Sequence, residues 1–549
     1  MGGIYLFKKS MVLVLVLMLV AALFAGCAPK AQPEGEVKAE PKVLRWNLGA
    51  DPRTLDPQLN AANEGGHVIN NTFEGLMREM PGGEVAPAMA ESYEVSADGL
   101  TYTFKIRDAK WSDGVAVKAQ DFEYAWKRAL DPNLLPEPSE YSFQLFYIKG
   151  GQDFFEGKGS KDAVAVKAID DKTLQVELIA PTPYFIELTG FYTYMPTRQD
   201  VVEKDPENWA RTPELAVSNG PFKLVEYTIG DRLVLEKNTE YWNADKVKID
   251  RIEAPMIVED STALTAYEAG DLDVLHNVPN QEIPRLKSED PSFYIRPKVG
   301  TYYYNFNVTK APFDNVKVRK ALTLAIDRTA IVEKVSQAGE IPATGFTPPG
   351  LFDDQGRDFR KTNGDFGIDP KAAKVEEAKA LLAEAGFPNG EGFPTFELLY
   401  NTSEGHKAIA EAVQEMWKQN LGINTTLQNQ DWAVFQDNRM NGNFLVARGG
   451  WIGDYLDPMT MLDLFTSYSA LNDPHWYSPE YDALIEKAKV TTGAERSETL
   501  YAAEKLMMEE QILAPIYYYV DKLAVKEYVK DVEMVGTGHW WFGFGDIVK

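Results

Sequence analysis

Cys27 is the only cysteine in a chain of 549 residues. Everything after it must fold without a disulfide framework or a thiolate metal site, so stability has to come from buried apolar surface. A chain this long can build two or three packed domains. Hydrophobic residues make up 44% of it and aromatics 12%, a globular composition in which aromatics are somewhat plentiful. Asp and Glu number 82 against 56 Lys and Arg, a net charge of −26. That balance disfavours nucleic acid and anionic membrane surfaces as partners and favours solubility.

Lys8 and Lys9 precede an apolar run from Met11 to Phe24, followed by Ala25, Gly26 and Cys27. Basic, apolar and small-residue zones in that order read as an export signal. The run is shorter than the roughly 20 apolar residues of a spanning helix, so a permanent transmembrane anchor is the weaker reading. Ala25-Gly26-Cys27 resembles the lipobox of bacterial lipoproteins, although Phe24 departs from the usual small or aliphatic residue and Leu23 lies one position early. The resemblance implies removal of residues 1–26 and diacylation of Cys27. Two or three acyl chains, at about 0.8 kcal/mol per buried methylene, hold a protein durably at a membrane. Residues 27–42, rich in Pro, Ala and charge, read as a flexible lipid-anchored tether.

Beyond the tether, strand and helix patterns interleave. Tyr102, Phe104 and Ile106 alternate with Thr101, Thr103 and Lys105 after the turn signal Asp98-Gly99, and Leu174, Val176 and Leu178 repeat the pattern. Helical spacing links Val318, Leu322, Ala325, Thr329 and Val332, and again Ile409, Val413, Met416 and Trp417. Residues 372–385 are rich in helix formers, with Gly386 as a C-cap. The mixture is α/β. No repeat suggests a solenoid, and no composition shift marks a linker.

Catalytic motifs are missing. His67, His276, His406, His475 and His539 are far apart in sequence and none begins H-E-x-x-H. Neither a nucleophile elbow nor a phosphate-binding loop occurs, and Gly270-Asp271-Leu272-Asp273 is too short for a calcium loop. No cofactor, metal or enzymatic activity is expected, although 82 acids leave paired carboxylates, and hence a tethered hydrolase, as an alternative.

The stretch Leu399 to Pro458 closely resembles the large oligopeptide-binding proteins of ABC importers. Phe73-Glu74-Gly75-Leu76, Asp121 to Trp126, Val217 to Phe222, Gly300 to Asn305, Pro312 to Arg328, Thr347-Pro348-Pro349 and Pro515 to Tyr519 extend the likeness in consistent order. The resemblance implies a two-lobed periplasmic-binding-protein-like fold with a subsidiary domain. Lobe I would combine residues 43–77, 196–305 and 522–549, the subsidiary domain 78–195, and lobe II 306–521. A monomer delivering oligopeptides to the importer's permease subunits is expected.

A free peptide carries a positive and a negative end, and burying either unpaired costs several kcal/mol. By resemblance, Asp454 grips the peptide ammonium. Arg448, His406 and Arg439 match positions that meet the carboxylate, for which the planar arginine fork is suited. Gly449-Gly450-Trp451 and Glu74-Gly75-Leu76 match segments that pair with the peptide backbone as an added strand. Trp432, Trp451 and Tyr124 match aromatic walls. An oligosaccharide receptor of the same superfamily is the nearest alternative, but a neutral sugar needs no buried countercharges.

Overall fold

The computed structural model describes residues 40–549, and the expected leader, Cys27 and most of the tether lie outside them. Strand β1 (Val43–Arg45) leads to helix α1 (Asn63–Thr72). The chain then forms a four-stranded antiparallel sheet from β2 (Ala90–Val95), β3 (Thr101–Ile106), β4 (Val166–Asp170) and β5 (Thr173–Glu177), ordered β2-β3-β5-β4, with α2 (Ala119–Ala129) packed on it. The alternation in the sequence is the reason: Tyr102 and Phe104 pair with Val176 and Leu174, and all four are buried. A second sheet, β1-β8-β7-β6, adds β6 (Phe222–Thr228), β7 (Arg232–Lys237) and β8 (Arg251–Pro255), with β1 joining β8 in parallel.

Seven other strands build one mixed sheet. They are β9 (Val274–His276), β10 (Phe293–Phe306), β11 (Ile341–Pro342), β12 (Phe396–Asn401), β13 (Thr425–Gln430), β14 (Val446–Ile452) and β15 (Leu513–Val525). Their order is β9-β15-β10-β14-β12-β13, with β11 on β15. Two details of this sheet position the site. The β10–β15 ladder breaks register between Pro297 and Thr301, so Lys298 falls in the break. Strand β14 pairs with β10 from Val446 to Ile452 but with β12 only at Val446 and Ala447, which leaves its edge open from Arg448 onward.

The helices on this sheet follow local sequence rules, with one exception. Helix α5 (Glu404–Leu421) starts where Ser403 Oγ accepts from the His406 N–H and stops at Gly422, whose φ is +73°. It buries Ile409, Val413 and Trp417 as the spacing predicts; truncating a fully buried Trp costs about 3–5 kcal/mol. Helix α4 (Val375–Glu384) lies within the expected span and precedes Gly386, at φ +97°. The exception is the pattern from Val318 to Val332, which is not one helix. Helix α3 (Val316–Leu324) ends and Asp327 starts a new turn by accepting from the Ala330 N–H, a local cap that competes with continuation. Helix α6 (Trp432–Met440) precedes β14.

The fold is the two-lobed α/β arrangement that the resemblance implies. Contacts join parts distant in sequence. Helix α1 is bound by the C-terminal segment: Asn71 Nδ2 donates to the Trp540 carbonyl at 2.8 Å, and the Phe542 N–H donates back to Asn71 Oδ1 at 2.8 Å. No helix among the described residues is long and apolar enough to cross a membrane.

Candidate functional site: a cavity lined by unpartnered ionisable groups

A cavity of about 790 Å³ lies between the residues around α1 and the open edge of β14, within the range of small-ligand sites. Residues Ala61 to Glu64 line one side; Gly450 to Asp454, with His406 and Trp432, line the other. Helix α6 supplies both Trp432 and Arg439, and the first turn of α5 supplies His406.

Asp454 follows the end of β14. Its Oδ1 accepts from the Tyr141 hydroxyl at 3.1 Å and its Oδ2 from Gln144 Nε2 at 2.9 Å, while its own N–H donates to Thr460 Oγ1 at 2.8 Å. No Lys, Arg or His among the described residues forms an ion pair with it. Burial, with the Asp463 charge nearby, pushes its carboxyl well above the usual range.

Arg448 is the opposite case. Its Nη2 donates to the Tyr519 hydroxyl at 2.6 Å and its guanidinium lies 5.0 Å from the Tyr302 ring centroid. Nε is buried without an acceptor, and no carboxylate among the described residues pairs with Arg448. A guanidinium stays protonated in proteins, so the cavity holds a fixed, uncompensated cation. Gly450 gives it room: a Cβ there would come within 2.7 Å of Arg448 Nη2 and 2.3 Å of the Tyr519 oxygen. Arg439, in contrast, is already paired with Asp473 at 2.8 Å. His406 is neutral, since burial and the Arg448 and Lys522 charges hold its pKa well below the ordinary value.

Trp451 and Trp432 both line the cavity. Trp451 Nε1 donates to the Thr460 carbonyl at 2.9 Å, and Trp432 stacks on Phe435 with centroids 6.0 Å apart. The structure therefore brings together seven of the residues singled out from sequence: Asp454, Arg448, His406, Arg439, Trp451, Trp432 and Gly450. Gly449 is a neighbour on β14 but does not line the cavity, and a Cβ there would strike the Tyr303 ring at 2.2 Å.

Four others lie away from the cavity. The Glu74 carboxylate takes bonds from Arg78, Tyr241 and Trp242. The carbonyls of Gly75 and Leu76 accept from the N–H groups of Met89, Ala88 and Ala90, so they have no free edge to offer a ligand. Gly75 is glycine for packing, as a Cβ would come 2.6 Å from the Thr189 carbonyl. Tyr124, on α2, faces Lys161 at 5.8 Å. Ala61-Ala62-Asn63 also line the cavity, three residues with no sequence signal of their own.

Sequence reasoning also missed the histidines' convergence. His67, His276, His406 and His539 all line this one cavity, and the His67 ring lies 5.9 Å from that of His276 and 5.4 Å from that of His539. Among the described residues no group of three His, Cys, Asp or Glu is arranged to hold a metal ion. Beside them, Asp521 meets Lys298 at 2.9 Å, Arg296 at 2.9 Å and His276 at 3.2 Å. Burial disfavours the Asp521 charge, but these three neighbours hold it well below the usual carboxylate range.

Contacts between the two sides close the cavity. Besides Tyr141 and Gln144 on Asp454, Tyr184 stacks on Tyr455 at 5.2 Å, Ser261 donates to Glu404 at 2.5 Å, and Arg53 approaches Asp437 at 3.6 Å.

The chain is similar to known proteins in both sequence and fold. The oligopeptide-binding protein OppA of Bacillus subtilis is 42% identical over 97% of this chain and 97% of its own length. The crystal structure of Haemophilus influenzae OppA in complex with RPPGFSPFR superposes with a TM-score of 0.86 at 34% identity, covering 93% of this chain and 99% of that one. The murein tripeptide binding protein MppA of Escherichia coli gives 0.85 at 34% identity over 93% of this chain and 99% of its own. Its unliganded open form gives only 0.62, at 35% identity over 94% and 99%. Residues 84–473 match the family described as bacterial extracellular solute-binding proteins, family 5 Middle, and the chain belongs to that family.

Proposed function

We propose that this chain is an extracytoplasmic receptor that captures oligopeptides by their two charged ends and delivers them to an ABC importer. One observation carries the reading: Asp454 and Arg448 are ionisable groups of opposite sign buried in one cavity, each without a counter-ion among the described residues. Left so, the guanidinium stays charged at a cost in desolvation and the carboxyl is driven toward its protonated form. A free peptide supplies an ammonium for Asp454 and a carboxylate for Arg448. The carboxylate matches the two-pronged guanidinium, with His406 and Arg439 nearby for chains of other lengths.

Between its ends the peptide extends along the open edge of β14, where Gly450 and Trp451 offer unpaired backbone groups, with Ala61 to Asn63 opposite. Trp432 forms the side wall. Such binding asks little of the peptide's side chains.

Closure follows from the same contacts. Lobe I (43–77, 196–305, 522–549), with the subsidiary domain 78–195, and lobe II (306–521) are joined by β10 and β15. Their register break at Pro297–Thr301 serves as the hinge. A ligand shifts such an equilibrium only by binding the closed form more tightly, and a peptide touching both lobes does so. The much poorer match to the open form of MppA supports a closed arrangement here. Lipid on Cys27 keeps the monomeric receptor at the outer face of the membrane, where the permease subunits accept the intact peptide.

Calorimetry with paired peptides, free and N-terminally acetylated, tests the reading. The acetylated forms are expected to bind at least about tenfold more weakly, because acetylation leaves Asp454 unpaired. Equal affinities would sink the assignment.

A further inference from the structure

The cavity holds another carboxylate that the termini do not use. Glu64 lies in the first turn of α1 and lines the cavity. Its Oε2 is closed off from solvent and has no hydrogen-bond partner, and no Lys or Arg among the described residues forms an ion pair with it. Three other acids of the cavity have partners within the protein. Asp473 has Arg439, Asp521 has Lys298 and Arg296, and Glu340 accepts from Ser336 Oγ and the Ala338 N–H.

Burial pushes the Glu64 carboxyl up, and the Arg448 and Lys298 charges pull it back without contact. The Trp432 indole N–H is close enough to add to that pull, yet meets no acceptor at hydrogen-bond geometry. A carboxylate oxygen in a cavity wall with no partner of its own is a place for a ligand cation, and the indole beside it offers apolar surface to the stem of a long basic side chain. Placement on a helix holds the carboxylate in position, so little entropy is lost on binding.

We propose that Glu64 and Trp432 form a subsite for a basic side chain of the bound peptide, a lysine ammonium or an arginine guanidinium. The inference rests on the peptide reading above and adds a preference to it. Peptides with a basic residue over Glu64 bind best, and an acidic residue at that position is rejected by like charge.

The test uses the full chain and a set of alanine tetrapeptides carrying one lysine at each position in turn, each paired with its Nε-acetyl-lysine twin. Only the side-chain charge separates the members of a pair. At one position lysine is expected to bind at least about tenfold more tightly than acetyl-lysine. In Glu64→Gln that ratio should fall to about threefold or less, whereas Glu64→Asp should keep most of it and Glu64→Lys should favour glutamate there. The ratio within each variant is the readout, so a general loss of affinity cancels. Ratios near one at every position while tetra-alanine binds, or an undiminished ratio in Glu64→Gln, would overturn the subsite alone. Failure of tetra-alanine and all its relatives to bind the unaltered protein would overturn the receptor reading itself.

Discussion

Asp521 and Asp454 are buried carboxylates lining the same cavity, and they have opposite surroundings. Asp521 is ringed by Lys298, Arg296 and His276 and held ionised far below the usual range. Asp454 has only the neutral donors Tyr141 and Gln144, and burial drives its carboxyl well above that range. Burial penalises both; what differs is whether the protein supplies the cation. A carboxylate whose cation is built in belongs to the scaffold. One left wanting a cation belongs to a ligand, and the two cannot exchange roles without moving charge across the cavity.

The contrast can be broken from either side. Asp521→Asn leaves the buried Lys298 ammonium and the half-buried Arg296 without their anion, and should lower stability by about 3–5 kcal/mol, measured by calorimetric unfolding of the empty protein. Asp454→Asn should instead weaken a free peptide by about 2–5 kcal/mol in titration calorimetry. The same variant should stabilise the empty protein by about 1–2 kcal/mol, because an amide enters the buried site without the cost of first protonating a carboxylate that is ionised in the unfolded chain. If both substitutions shift stability in the same direction, the distinction between scaffold and ligand carboxylates fails.

Acid sharpens the same comparison. The folded pKa of Asp521 is depressed, so its contribution is present above the unfolded value near 3.9 and is lost as pH falls toward the folded one. The folded pKa of Asp454 is raised, so the empty protein gains stability from it as pH falls from that value toward about 3.9. Peptide binding requires the ionised Asp454, and affinity should therefore drop on acidification by up to about tenfold per pH unit below its folded pKa. Titrations in buffers of different ionisation enthalpy should register proton release on binding, and none is expected in Asp454→Asn. The smallest effect is expected of Arg448→Lys, which keeps the charge but loses the fork; a loss of about 1–2 kcal/mol for free peptides, and less for amidated ones, fits a carboxylate partner.

How far the sequence revealed this depended on range. Elements ruled by local chemistry were legible: the alternation through Tyr102 and Phe104, the helical spacing of Ile409, Val413 and Trp417, and Gly386 just beyond α4 all form as read. The helix from Val318 to Val332 was misread because apolar spacing says nothing about Asp327 capping a second start. In the site, Asp454, Arg448 and Trp432 could be singled out only through a family resemblance, and the structure places them on one cavity. Ala61 to Asn63 carry no chemistry that a sequence advertises. Glu74 to Leu76 seemed to offer a ladder, but that ladder belongs to residues 88–90. The Lys298–Asp521 pair depends on a register break in β10, which alternation does not predict.

The bonds between α1 and the C-terminal strands have a consequence for the order of assembly. Asn71 and His67 take their partners from Trp540 and Phe542, across sequence separations of 469 to 473 residues. A chain made from its N-terminus forward presents α1 early and its partners almost last. The wall that carries Ala61 to Glu64 is therefore incomplete until nearly the whole chain has emerged, and such long-range closure is slow. A chain cut short by a few dozen residues would retain every residue proposed to touch the peptide, yet lack the segment that fixes Ala61 to Glu64 in place.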